Sequence, residues 1–332
     1  MRIIPQSVVE RLLPVGACVE VMRQAMIAVS NGDVTLPIRQ FMPVPGAAGK
    51  MAIMPGSLGT VGDAQDASFG IKLVCKYERP KDDPLGTHVG MVLLFDSIKG
   101  VPLAMVEGSS LTAIRTSAAS ALATDLMARK DAKTLAIIGN GEQAARHVDA
   151  MMAVRPISEI TVWGRNPVRA ESFAKGTAER VGLPVRAAST AAEAVIGADI
   201  VCTTTSAKDP VLKGAHLEPG QHVNLVGAAV PTSAEVDSEA VARSRFVVDF
   251  RAAAMAAAGE LLNAISDGTA TEKHIAGEIG EIAGGNVAGR TSDDEITMYK
   301  SLGVSAQDLA AAHAVWVAAE REGLGEAMDL LA

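Results

Sequence analysis

An apolar run that breaks on two glycines and resumes at helical spacing constrains this chain more than any other feature. TLAIIGNGEQAARHV, residues 134 to 148, reads as a short buried strand, a turn at Gly139-Asn140-Gly141, and the opening of a helix. Glycines at the first two marked positions of Gly139-x-Gly141-x-x-Ala144 permit a tight turn and let backbone approach a pyrophosphate. The helix start presents free N–H groups to the same anion, and a small residue at 144 lets the helix lie close on the strand. A lone pattern of this kind is weak, because glycine turns are common. Here it sits inside a strand–helix–strand unit, the context it requires. Gly139, Asn140, Gly141, Glu142, Gln143 and Ala144 are therefore expected to hold a dinucleotide.

The rhythm on either side supports this. After Lys133, strands and helices alternate: EITVWGR, then NPVRAESFAKGTAERVG; PVRAA, then TAAEAVIG; then DIVCTTT, HVNLVG and RFVVDF. Continuous apolar strands separated by helices predict a parallel sheet covered on both faces. The fold class is α/β, a Rossmann-type doubly wound parallel sheet. From Thr291 the chain is expected to return to helix through TSDDEITMYKSLG and then SAQDLAAAHAVWVAAEREGLG.

The second strand of the unit selects the dinucleotide. An acidic residue at its end would grip the ribose 2′-hydroxyl of NAD, but the sequence there is VWGRNPVRA, with Arg165, Asn166 and Arg169. Guanidinium groups accept a 2′-phosphate through paired donors, whereas a carboxylate would repel it. NADP(H) is the expected preference, with NAD(H) possible if Arg165 is only a solvated charge. Ligands lie beyond the carboxyl ends of such strands, which adds Thr203, Thr204, Val226 and Gly227 as rim residues.

Residues 1 to about 115 read differently. SVVERLLPVGACVEVMRQAMIAVSNG is helical and stops at Asn31-Gly32; LPIRQFMPV, KMAIMPG, FGIKLVCKY and HVGMVLLFDSIKGVPLAMVEG read as strands. LTAIRTSAASALATDLMAR reads as a helix with Thr112 as its cap. Three cations stand among apolar neighbours: Arg39 in LPIRQFM, Lys72 in FGIKLV and Arg115 in LTAIRTSAAS. A cation in an element interior needs a partner, either a protein carboxylate or that of a substrate.

Composition narrows the remaining classes. The chain has 30 basic and 38 acidic residues and only two Trp, two Tyr and six Phe, so it carries no electrostatic footprint for nucleic acid. Cys18, Cys75 and Cys202 show neither disulfide nor zinc spacing, which favours a reducing cytoplasm. No apolar stretch reaches the roughly 20 residues of a membrane span. His216 and His222, the nearest histidine pair, read as surface or loop residues, so no metal is expected.

With these residues in place the chain resembles the ornithine cyclodeaminase/mu-crystallin family. The resemblance rests on LTAIRTSAASALA, GNGEQA, PGQHVNLVGA and GRTSDDEITMYKSLG, in the family's order and roughly its spacing, and it covers nearly the whole chain. It implies a homodimer in which a substrate-binding and dimerisation domain, residues 1–116 plus 306–332, carries an inserted Rossmann domain, residues 117–305. It also implies that Arg39, Lys72 and Arg115 grip an amino-acid carboxylate. By the same resemblance Thr116 meets the cofactor phosphates, Thr87 and His88 lie near the nicotinamide, and Lys300 and Ser301 lie at its far side.

One departure carries weight. Cyclodeaminases of the family use an aspartate in Gly-x-Asp-x-Pro, and the corresponding stretch here is VGAAVPTSAEVD, with Ala229 in the aspartate's place and Pro231 and Glu235 in register. Alanine can act as neither acid nor base. The expected activity is therefore an NAD(P)H-dependent reduction of imines of 2-oxo acids, or amino-acid dehydrogenation in reverse, with Lys72 or His88 as proton source. The rival readings are an ornithine cyclodeaminase-type ammonia lyase and a non-catalytic binding protein like mu-crystallin. Met42 and Met54 would line an apolar or compact substrate pocket.

Overall fold

The computed structural model describes residues 1–46, 49–59, 68–77 and 88–330. The chain divides into two compact units, Met1–Arg115 with Val304–Ala332, and Thr116–Gly303.

The second unit is an eight-stranded, all-parallel sheet. Five strands stand in the order Val185–Ala187, Glu159–Trp163, Thr134–Ile138, Ile200–Thr203, His222–Leu225, and three more continue it: Ile296–Lys300, Ser244–Val248 and Ile275–Glu278. The sequence order reverses beside Thr134–Ile138, which is the switch point of a doubly wound sheet. Its central strands are buried on both faces, as continuous apolar runs require.

Ile296–Lys300 corrects the helical reading of the segment after Thr291. All five of its residues are buried, and it pairs in parallel with His222–Leu225 on one side and Ser244–Val248 on the other. A five-residue run buried on both faces has no alternation to mark it as a strand. The preceding TSDDE is instead the loop that Arg290 organises, donating to the carbonyls of Met127, Gly220, Ser292 and Glu295. His222, read as a surface or loop residue, is fully buried in its strand, with Nδ1 2.9 Å from Thr297 Oγ1.

Among the described residues the first unit holds a second sheet of eight strands, mostly antiparallel, centred on Gly49–Leu58, Ser68–Tyr77, His88–Asp96 and Pro102–Glu107. Burial alternates along them. Ala52, Met54, Lys72, Val92, Leu94, Ala104 and Val106 face inward, while Met51, Ile53, Leu73, Met91, Leu93 and Met105 lie on the other face, half-buried or exposed. Helix Ser305–Glu322 packs across the inward face, together with helix Val15–Asn31. Pro14 separates the latter from Gln6–Leu12, so the helical opening is two helices bent by 83°. No single helix among the described residues is long and apolar enough to cross a membrane.

Helix Gly108–Met127 begins three residues before Leu111. Its start is capped by Glu107, whose carboxylate accepts from the N–H groups of Ser109 and Ser110. Thr112 lies inside the first turns, bonded back to Gly108 O. The expected cap is thus replaced by a carboxylate facing the helix N-terminus, which the helix dipole also favours.

Candidate active site

On the dinucleotide side, the turn has the geometry its glycines were expected to allow. Gly139 has φ +131°, and a Cβ on it would lie 2.5 Å from Thr204 Oγ1, so both backbone and space demand glycine. Gly141 is the exposed N-cap of helix Glu142–Val154. No side chain caps that end, which leaves its first N–H groups for an incoming anion. Ala144 is fully buried against the sheet, and Gln143 Oε1 is buried with no hydrogen-bond partner. Glu142 is exposed and Asn140 half-buried, the Asn140 amide lying where a Cβ on Gly164 would meet it at 2.8 Å. A bare helix start and a glycine backbone fit a dinucleotide pyrophosphate, while the orphaned amide oxygen calls for a donor such as a ribose hydroxyl.

Strand Glu159–Trp163 delivers the next residues. Asn166 caps helix Pro167–Val181, accepting from Arg169 N–H at 3.0 Å, so its side-chain oxygen is occupied. Arg165 and Arg169 flank that cap on the surface. Neither guanidinium has an ion-pair or hydrogen-bond partner among the described residues.

The rim is held from beneath by a carboxylate. Glu235, fully buried, accepts from Thr203 Oγ1 at 2.8 Å, from Thr205 N–H and Oγ1 at 2.6 and 2.8 Å, and from Gly227 N–H at 2.6 Å. It ties together the ends of two adjacent strands. Burial, ahead of the opposing charge of Lys300, raises its pKa. Thr203 is therefore turned inward and leaves Thr204, half-buried, and the backbone at Val226 as the rim surfaces. Lys300 departs from its expected place in the same way. Its ammonium is fully buried, donating to Ala228 O at 2.6 Å and paired with Glu260 at 3.0 Å, so it braces the rim from within. Ser301 Oγ beside it is buried without a partner, and Thr116 is nearly buried.

On the substrate side, the three cations of the first unit lie close enough to act on one another. Lys72 projects from the inward face of Ser68–Tyr77, opposite Met54 and Val92. Its Nζ lies 2.8 Å from Asp308 Oδ1. Arg115 Nε lies 2.8 Å from the same oxygen, and its Nη1 donates to Gln307 Oε1 at 2.8 Å. Lys72, Arg115 and Asp308 are all buried. Burial first, and then the Arg115 and Arg39 charges, lower the Lys72 pKa to about 8, with Asp308 working in the opposite direction. Burial opposes the charge on Asp308, but Arg115 and Lys72 outweigh it and hold the carboxylate below its ordinary range. Arg39 is half-buried, 6.0 Å from the centre of the Phe41 ring.

His88 begins strand His88–Asp96, opposite Lys76 and on the same sheet face as Lys72. Loss of hydration around its ring, ahead of repulsion from Lys76 and Lys72, pushes it down to about 4. It is therefore uncharged at neutral pH. Thr87 lies outside the described residues. Of the expected pocket residues, Met54 is buried opposite Lys72, while Met42 is 47% exposed and does not line the interior. No cluster with metal-ligand character exists among the described residues.

Sequence reasoning missed Asp308, Gln307 and Glu260. The signal for Asp308 and Gln307 was present in SAQDLAAAHAV, polar residues in an Ala- and Leu-rich helix, which is the same anomaly that singled out the three cations.

Known proteins resemble this chain over nearly its whole length. The model of the ornithine cyclodeaminase/mu-crystallin family matches residues 2–322. A Delta(1)-pyrroline-2-carboxylate reductase of Bacillus cereus is 35% identical over 330 residues, covering 99% of this chain and all of its own. The structure of Thermococcus litoralis Delta(1)-pyrroline-2-carboxylate reductase in complex with NADH and L-proline superposes with a TM-score of 0.92 at 32% identity, covering 99% of this chain and 100% of that one. An archaeal alanine dehydrogenase dimer with bound NAD gives a TM-score of 0.90 at 28% identity, covering 100% and 99%.

Proposed function

The chain belongs to the ornithine cyclodeaminase/mu-crystallin family, and from that premise we propose that it is an NAD(P)H-dependent reductase of imines of 2-oxo acids. The observation that carries this reading is the buried cation group. Lys72 and Arg115 bring two buried positive charges to one oxygen of a single carboxylate, Asp308, and Arg39 lies near enough to act on Lys72. The surplus calls for an anion, and a substrate carboxylate supplies it. Ala229 stands where a cyclodeaminase of the family has its aspartate, which disfavours ammonia release with ring closure.

Gly139, Gly141, Gln143 and the start of helix Glu142–Val154 would hold the cofactor's pyrophosphate, Thr204 and Val226 the neighbouring rim, and Arg165 with Arg169 a 2′-phosphate. Bound there, a reduced nicotinamide supplies the hydride. The chain's own residues fix the substrate carboxylate, which orients its C=N bond, and provide the proton the nitrogen must gain. Of the two candidates, Lys72 fits and His88 does not. An ammonium with a pKa of about 8 is charged at neutral pH, whereas an imidazole pushed to about 4 has no proton to give. The preference for NADP(H) rests on the two unpartnered guanidinium groups.

A homodimer completes the reading. Ile53, Leu73 and Met91 lie side by side on neighbouring strands, and Leu93 and Met105 continue the same outward face as an apolar sheet surface. A second copy of the chain is its natural cover, and the similar archaeal alanine dehydrogenase is a dimer.

The test is loss of nicotinamide absorbance with NADPH, and separately NADH, over 1-pyrroline-2-carboxylate, 1-piperideine-2-carboxylate, iminosuccinate, and pyruvate with ammonia or methylamine. Saturable turnover, faster with NADPH, is expected for a cyclic imino acid. Silence across the panel would overturn the reading.

A further inference from the structure

We propose that Asp308 is the positioning residue of the reaction. By sharing one oxygen between Lys72 and Arg115, it keeps Lys72 charged and aligned to hand its proton to the imine nitrogen.

The geometry carries the inference. Lys72 Nζ and Arg115 Nε both lie 2.8 Å from Asp308 Oδ1, and Gln307 fixes the other arm of the same guanidinium. Asp308 comes from the first turn of helix Ser305–Glu322, where the helix end favours a negative charge. One carboxylate thus sets the direction of both cations from a rigid element. Its second oxygen, Oδ2, is buried with no hydrogen-bond partner. An unpaired buried acceptor is costly; Glu260 Oε2 also lacks a hydrogen bond but has Lys300 Nζ 3.0 Å away, whereas both ion pairs of Asp308 fall on Oδ1. The cluster is complete only when something polar arrives.

The electrostatics give Asp308 its work. Every other influence on Lys72 removes its proton: burial first, then Arg115 and Arg39. Asp308 is the one group acting the other way, both by charge and by hydrogen bond. The other charged groups facing Lys72 are therefore cations, and His88 on the same sheet face is uncharged at neutral pH. Without the carboxylate, Lys72 would be a neutral amine near pH 7, unable to donate. In the step itself an N–H bond of the Lys72 ammonium breaks as one forms to the imine nitrogen. A reduced nicotinamide, when bound, would supply the hydride that the carbon must gain, and solvent would recharge the lysine. One hydride and one proton convert C=N to CH–NH.

This inference rests on the imine-reductase reading, and the experiment separates the two. The pH profile of kcat/KM is measured for wild type, Asp308→Asn and Arg115→Gln with the best imino acid. Binding of pyrrole-2-carboxylate, a planar carboxylate that cannot be reduced, is followed by calorimetry over the same pH range. In wild type both fall as pH rises through about 8. In Asp308→Asn the alkaline limb moves down by at least one unit, so that activity lost about fivefold or more at pH 8 recovers toward wild type at pH 6, and binding follows it. In Arg115→Gln, which removes a cation from the shared oxygen, the limb moves up. A uniform loss at all pH values in Asp308→Asn, or limbs that stay put in both variants, overturns the role of Asp308. If Asp308→Asn does not fold, Asp308→Glu decides: a lowered kcat with the alkaline limb still near 8 is expected, and an unchanged kcat overturns the positioning role. Absence of any wild-type turnover strikes the reductase reading instead, and the binding profiles still report on Asp308.

Discussion

Replacing Lys300 by methionine tests whether that residue braces the fold or reaches the cofactor. Lys300 and Glu260 are both 0% exposed, the ammonium lying 3.0 Å from one carboxylate oxygen and 2.6 Å from Ala228 O. Glu260 also accepts from the Glu235 N–H at 3.1 Å, and Glu235 is itself a buried carboxylate. The cluster therefore holds two carboxylates and one cation. Lys300→Met would leave a buried carboxylate without its counter-charge, which costs about 3–5 kcal/mol when one partner of a buried pair is removed. At roughly 2–4 °C per kcal/mol for a unit of this size, the melting temperature should fall by about 10 °C. Glu260→Gln in the same chain removes the uncompensated charge, so the double variant should be more stable than Lys300→Met alone. The assay is thermal and urea unfolding of wild type and the two variants, with NADPH binding followed by fluorescence in each. A Lys300→Met protein that unfolds like wild type but binds NADPH many times more weakly would refute this reasoning and return Lys300 to the cofactor.

Three further outcomes follow from the same geometry. Arg165→Gln with Arg169→Gln removes charge-assisted contacts worth about 1.5–3 kcal/mol each, so the preference for NADPH over NADH in kcat/KM should fall at least tenfold; an unchanged ratio would show both to be solvated charges. Leu73→Lys places a charge in the outward sheet face beside Ile53 and Met91, and sedimentation should shift from dimer to monomer, whereas a dimer that persists would mean the second copy sits elsewhere. His147 and His222 are fully buried, and burial lowers them from 6.5 to about 4 and about 3. The unfolded chain then binds protons that the folded chain does not as pH drops below 6.5. Stability should be intact above pH 6.5 and fall on acidification, by roughly 1.5 kcal/mol per histidine by pH 5. Urea midpoints equal at pH 7 and 5 would contradict this.

How much of this could be read from the chain depended on whether the signal was local. The Rossmann unit was legible because its strands are wholly apolar and its turn needs glycine at 139, both properties of adjacent residues. Strand Ile296–Lys300 was not. Burial on both faces erased its alternation, and even its terminal lysine is fully buried. Thr112 was taken for a cap by residue type, but the helix starts earlier, where Glu107 reaches the N–H groups of Ser109 and Ser110. Lys72 and Arg115 drew attention because each stands among apolar neighbours. Asp308 drew none, because its partners lie 236 and 193 residues away in sequence and only packing brings them together.

The two buried charge groups show why one is structural and the other is a candidate for chemistry. Around Glu235, nearly every polar atom is satisfied: the carboxylate takes donors from Thr203, Thr205 and Gly227, and Lys300 has Ala228 O and Glu260. Such a group needs no ligand, and its worth lies in holding two strand ends in register beneath the rim. Around Asp308 the balance is reversed, with the buried Lys72 and Arg115 sharing one carboxylate and its other oxygen left bare. Burying a surplus of positive charge is unfavourable unless an anion joins it. The fold would not keep that surplus for stability alone, since replacing a buried ion pair by apolar residues is often neutral or stabilising. The imbalance, more than the presence of any one residue, is what marks the first unit as the one that receives the substrate.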